Sequence, residues 1–137
     1  MKNKIQYFNP DGLLKSPAFS QVVTTQGTGK TIYIGGQDAV NEQGEIVGKG
    51  NLAAQTTQVM LNLQTALSAC GATWNDVIKL TIYVVPEQNL HSGFQAAQEF
   101  LGKRSQPPVI SAIIVAGLAH PDFLVEIEAT AFVSEDQ

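Results

Sequence analysis

Apolar and polar positions recur along the chain with two periods, and these mark out its elements. Residues 20–25 read as a short strand. Gln26, Gly27, Thr28, Gly29 and Lys30 read as a turn, where glycine supplies positive φ without steric cost. Thr31, Ile32, Tyr33 and Ile34 are β-branched, aromatic or aliphatic, so they are expected to form the partner strand of a hairpin. Gly35 and Gly36 end that strand. The missing side chains there point to a bulge or to the close approach of another group. A further turn follows at Asn41, Glu42, Gln43 and Gly44.

Residues 51–69 form the clearest helix. Asn51 suits an N-cap, and Gly71 lies just beyond the end, where a left-handed residue is wanted. Val59, Met60, Leu63, Ala66, Leu67 and Cys70 fall on one stripe at helical spacing. The opposite face is unusual, because no charged residue occurs from Leu52 to Asn75. Gln55, Thr56, Gln58, Asn62 and Gln64 are polar but neutral. Either this face is a plain polar surface, or it is partly buried at a contact.

Residues 77–85 read as a strand closed by Pro86, and residues 89–101 as a second, weaker helix. A loop at 102–106 leads to Pro107 and Pro108, which start the next strand in an extended conformation. That strand, 109–116, is apolar on both faces, with Ser111 as its one polar side chain. The last strand, 123–133, alternates. Phe123, Val125, Ile127, Ala129, Ala131 and Val133 share one face; Leu124, Glu126, Glu128, Thr130 and Phe132 share the other. Two helices cover one face of such a sheet. Since 109–116 asks for cover on both, a second copy of the chain is the expected cover.

Composition narrows the function. The chain has 137 residues, 44% of them apolar, which suits a single domain over 1–137 with one core. The net charge is −4 and the sequence pI about 5.0. The basic residues are scattered, with only Lys103 and Arg104 adjacent, so neither nucleic acid nor an anionic membrane surface is expected as a partner. The one cysteine fits a reducing compartment. The first eight residues carry no apolar run, so no signal peptide is expected, and the expected location is the cytoplasm.

Candidate chemistry is sparse. Glu126 and Glu128 lie two apart on one strand and point to the same face, with Leu124 and Phe132. A carboxylate among apolar groups has its charged form disfavoured, which suits general acid–base work. The other reading is an exposed edge with both glutamates solvated. His91 and His120 have no Cys, Asp or Glu at ligand spacing, so no metal is expected. Cys70 ends an apolar stripe and reads as a structural thiol. Gly27 to Lys30 lacks the spacing of a phosphate loop and joins two strands. Trp74 reads as core or interface.

Several segments, in order, resemble the RidA/YjgF (reactive intermediate deaminase) family. Ser16-Pro17-Ala18-Phe19-Ser20-Gln21 is similar to the family's Pro-Tyr-Ser-Gln, and Gly35-Gly36-Gln37 to its Ser-Gly-Gln. The helix from Gln55 to Gly71, followed by Asn75-Asp76-Val77-Ile78-Lys79, resembles the family's long helix and Asp-Val-Val-Lys strand start. Pro108 to Leu118 resembles its Pro-Ala-Arg-Ser strand, and Leu124-Val125-Glu126-Ile127-Glu128-Ala129 its Val-Glu-Ile-Glu-Ala ending. The match covers nearly the whole chain.

The resemblance implies an α+β, chorismate-mutase-like fold: a mixed sheet with two helices on one face, assembled as a homotrimeric barrel. It implies small-molecule clefts between subunits and no cofactor. In the deaminase branch, an arginine grips the carboxylate of a 2-aminoacrylate-like substrate or its imine, and a glutamate handles the attacking water. Carried over by position, the glutamate is Glu126, with Glu128 beside it. The arginine position holds Ile110, followed by Ser111; the tyrosine is Phe19, the serine is Gly35 next to Gly36, and the cysteine found in some members is Ala112. The implied pocket keeps one acid and loses its carboxylate clamp, because Ile110 cannot pair a buried carboxylate. Arg104, in the loop before that strand, is a remote substitute.

Two functions follow. One is an imine or enamine hydrolase with Glu126 as acid–base, acting on a substrate without the usual carboxylate. The other is a non-catalytic small-molecule-binding or regulatory trimer, suggested by the joint loss of arginine, hydroxyl and serine. The acidic balance argues against ribonuclease activity; chorismate mutase activity, suggested by fold alone, would need several cations for a dianionic substrate, and fold does not carry function.

Overall fold

In the computed structural model, which describes residues 4–104 and 106–135, the last strand of the sequence runs through the middle of the sheet. The elements are β1 (Ile5–Phe8), β2 (Val22–Thr25), β3 (Gly29–Gln37), α1 (Leu52–Ala69), β4 (Val77–Val84), α2 (Leu90–Leu101), β5 (Val109–Ile114) and β6 (Val125–Ser134). The main sheet has the order β3-β6-β4-β5. β6 is antiparallel to both neighbours, while β4 and β5 are parallel and joined through α2. This is the expected α+β arrangement, a mixed sheet with two helices. Position 105 of the expected loop at 102–106 lies outside the described residues, as do residues 1–3 of the N-terminal segment.

The expected hairpin does not form. β2 pairs with β1, Tyr7 opposite Val23, and β3 pairs with β6, Tyr33 opposite Thr130. Local alternation marks a strand but says nothing of its partner, and β1 was not expected at all. β3 also continues through Gly35 and Gly36 to Gln37, with a register shift between Ile34 and Gln37. That shift is the bulge the two glycines suggested. The apolar strand expected over 109–116 stops at Ile114, and the last strand starts at Val125, later than 123.

Alternation on β6 puts Val125, Ile127, Ala129 and Ala131 into the core. Opposite them α1 presents Val59, Met60, Leu63 and Leu67, all buried, with Ala66 and Cys70 packed at the edge. β3 adds Ile32 and Ile34, and β4 adds Leu80 and Val84. Burying each large side chain contributes about 1.5–3 kcal/mol. Asn51 caps α1, its side chain accepting from the Ala54 N–H at 3.0 Å, and Gly71 follows with φ +75°. Trp74 packs against Phe100 with ring centroids 5.9 Å apart and donates from Nε1 to Gln64. Among the described residues no helix is long and apolar enough to cross a membrane.

The uncharged face of α1 is explained by contacts within the chain. Gln55 is fully buried: its amide donates to the carbonyls of Gly48 (3.3 Å) and Asp122 (2.8 Å), and its oxygen accepts from the Leu124 N–H (2.9 Å). Asn62 donates to the carbonyls of Asp38 (3.0 Å) and Val40 (2.9 Å), and accepts from Gln58 (2.9 Å). These amides satisfy part-buried loop backbone without the desolvation cost of a charge. Gln55→Ala should therefore cost about 2–3 kcal/mol in urea unfolding, because it orphans buried groups on two loops. Gln64→Ala, on an exposed stretch of the same helix, should cost markedly less.

Candidate functional site

The sequence-expected site residues divide between the two faces of the sheet. β6 is an inner strand, so Glu126 and Glu128 do not lie on an edge. Glu126 is half-buried and Glu128 exposed. Both point away from the helices, in register with Tyr83 and Thr81 of β4. Ser111 of β5 shares that face, aligned with Thr81 and about 10 Å from β6 at two strand spacings.

Ile110 and Ala112 point the other way. Ile110 stands opposite Leu80 and packs, half-buried, against the core, where the family would place its arginine. Ala112 lines an apolar groove of about 260 Å³ between the helices and the sheet edge, with Ile82, Ile114, Leu90 and Phe94. Phe19 is half-buried beside Ser20. Ser20 ties this segment to the foot of β5, donating from its N–H to the Pro108 carbonyl (3.0 Å) and from Oγ to the Pro107 carbonyl (2.6 Å). Within one chain, therefore, Glu126 and Ala112 do not share a cleft.

Gly36 and Glu126 are brought together. A Cβ at Gly36 would overlap the Glu126 carboxylate, whereas a Cβ at Gly35 would meet open space. Both suggestions drawn from the paired glycines thus hold: a bulge, and a close approach at Gly36. The group that approaches is the candidate acid itself.

The residue that sequence reasoning missed is Asp38, one position beyond β3. The register that pairs Gln37 with Ile127 sets it across from Glu126, and the two carboxyls interact. Desolvation first, then hydrogen bonding with Glu126 and the Glu126 charge, push Asp38 from its ordinary 3.8 up to about 7. Asn62 of α1 holds its carbonyl at 3.0 Å, which fixes the turn that carries it. An acid directly after Gly35, Gly36 and Gln37 was visible in the sequence, but nothing local showed that it faces Glu126.

Glu128 is engaged differently. Tyr83 Oη donates to its carboxylate at 2.9 Å, and this bond raises the phenol above its ordinary 10, helped by desolvation and by the charges of Glu128 and Glu126. Arg104 does not reach this group. Its Nη2 donates to Tyr7 Oη at 3.0 Å, its guanidinium lies 6.0 Å from the Tyr7 ring centroid, and burial lowers its pKa. It lines a polar recess of about 390 Å³ with Tyr7, Asn75, Lys103 and Gln106. His91 is exposed in the first turn of α2, and His120 Nδ1 accepts from the Asp122 N–H at 3.0 Å.

The contrast between the two glycines is testable. Gly36→Ala should destabilise the protein by about 1–3 kcal/mol by pushing Glu126 aside. Gly35→Ala should stay within about 0.5 kcal/mol. Urea unfolding of the two variants side by side measures the difference.

Comparison with known proteins bears on the family and the fold. The profile of the family described as Endoribonuclease L-PSP matches residues 13–133. A RutC family protein of Pyrococcus horikoshii is 36% identical over 105 residues, covering 76% of this chain and 80% of that protein. The Rid family protein YyfB of Yersinia pestis, itself of unknown function, is 38% identical and superposes with a TM-score of 0.85, covering 96% of this chain and all of that one. The YjgF gene product of E. coli is 29% identical with a TM-score of 0.67, covering 77% of this chain and 83% of that one. The chain belongs to the RidA/YjgF family, whose profile bears the name Endoribonuclease L-PSP.

Proposed function

We propose that the protein is a hydrolase of imines or enamines, with Glu126 as its acid–base, and that its substrate lacks the carboxylate used elsewhere in the family. The observation that carries this reading is the half-buried Glu126, set in the middle of the sheet against Gly36 and Asp38. A carboxyl so placed is worth keeping for proton transfer. Meanwhile Ile110 is turned into the core and Ala112 lines an apolar groove, which disfavours an anionic ligand.

The reaction needs no group beyond water and the carboxyl. Water oxygen bonds to the imine carbon as Glu126 takes its proton, and the C=N electron pair moves onto nitrogen. Glu126 returns the proton to nitrogen, giving a carbinolamine. It then takes the hydroxyl proton, a carbonyl forms, the C–N bond breaks, and the nitrogen leaves as ammonia or amine with that proton.

The working form is a homotrimer with clefts between copies. Tyr33 on the helix-free face is 81% exposed, and Ile114 at the sheet edge is 62% exposed. Burying them against a second copy recovers apolar area. A second copy is also the simplest way for Glu126 and the Ala112 groove, on opposite faces of one chain, to border one cleft. The non-catalytic reading draws its support from the same Ile110, since the family's anchor for substrate is gone. It predicts ligands without turnover.

The test generates imines in situ: a flavin amine oxidase for carboxylate-free imines, an amino-acid oxidase for 2-imino acids. Semicarbazide traps both, and added protein competes with the trap. Wild type should accelerate hydrolysis of the carboxylate-free imine more than that of the 2-imino acid. Glu126→Gln should lose at least about 10²-fold. Equal activity of Glu126→Gln and wild type would sink the enzyme reading. Light scattering should give three times the 14.7 kDa chain mass; a monomer would sink the trimer.

A further inference from the structure

Two carboxyl groups in hydrogen-bond contact cannot both be ionised, because an ionised carboxylate only accepts. Gln37 pairs with Ile127, and that register sets the next residue, Asp38, across from Glu126, close enough for the two carboxyls to interact. Three features of the fold create this contact. Gly36 lacks the side chain that would displace Glu126. The Asp38 turn is held by the Asn62 amide, and the Val40 N–H donates to the Asp38 carbonyl at 2.8 Å. Finally, Asp38 Oδ1 is buried and meets no donor among the described residues.

We propose that Asp38 is a positioning residue for Glu126: its carboxyl carries the single proton of the pair and donates it to one Glu126 oxygen, leaving the other oxygen as the base. This rests on the reading of Glu126 as the base of the proposed reaction. The bond fixes the orientation of the Glu126 carboxylate.

The titratable and polar groups around the pair come from three elements. From β6 there are Glu126 itself and Glu128. From β4 there is Tyr83, whose hydroxyl is committed to Glu128. From α1 there is Asn62, which is neutral. All the causes acting on Asp38 raise its affinity for the proton, to a value of about 7. Below that pH the Asp38 proton holds Glu126 in place. Above it Asp38 loses that proton and the hydrogen bond goes with it.

The sign for stability follows. Asp38 binds its proton more tightly in the folded chain than in the unfolded one, where its ordinary value is 3.8. Its contribution is therefore full below about pH 4 and is lost as pH rises through about 7. Asn at this position keeps a donor to Glu126 and has no proton to lose.

Three measurements on the full chain test this: carboxyl 13C NMR titration, thermal unfolding from pH 4 to 9, and kcat/KM for imine hydrolysis over the same range. In wild type one carboxyl should titrate near 7, and in Glu126→Gln the Asp38 signal should move down toward the ordinary range. Asp38→Asn should gain Tm relative to wild type between pH 5 and pH 8. Wild-type kcat/KM should fall about tenfold per pH unit above the break. Asp38→Asn should flatten that limb, and Asp38→Ala should lose activity at every pH. If no wild-type carboxyl titrates above the ordinary range, or if Asp38→Asn retains the wild-type break, the proposal is overturned. A titration near 7 in a protein silent on every imine leaves the shared proton standing and removes the enzyme reading alone.

Discussion

The structure depends on the register of β6. This strand lies between β3 and β4, antiparallel to both, and its side chains alternate between the core and the helix-free face. A slip of one residue would drive Glu126 and Glu128 under α1 and lift Ile127 and Ala129 out. β3 accommodates the larger side chains of β6 by withholding its own: Gly29 leaves room for the Phe132 ring, and Gly36 for the Glu126 carboxylate. Core packing and placement of the acid are therefore one constraint.

α1 serves the site from the other side of the sheet. Its apolar stripe anchors it on β6 and β3, and its neutral amides reach past the sheet to the loops. Asn62 holds the turn that carries Asp38, so the helix that builds the core also fixes the second member of the carboxyl pair. The link runs from a run of uncharged polar residues, to buried loop carbonyls, to the geometry of a proton.

What was legible in the sequence was whatever is decided locally. The span of α1, its Asn51 cap, its buried stripe and the alternation of β6 follow from periodicity and capping, and the structure has them. The pairing of β2 and β3 was not legible, because partners many residues away in sequence decide it. Asp38 stayed hidden for the same reason: its role depends on a register between β3 and β6 that no short segment encodes. Gly36 is the intermediate case. Its sequence told that something comes close, and only the fold told what. Likewise Ile110 could be assigned by position to the arginine slot, while its orientation, toward the core and away from Glu126, emerged from its pairing with Leu80.

The choice of amides in place of ions along α1 has a consequence for how the molecule meets its surroundings. Contacts made by Gln55, Gln58 and Asn62 attract no counter-ions, so ionic strength has little purchase on the way the helix grips its loops. On those loops the contact open to screening is the exposed Lys49–Asp122 ion pair at 3.3 Å, so salt loosens the rim of the grip and leaves its amide centre as it is.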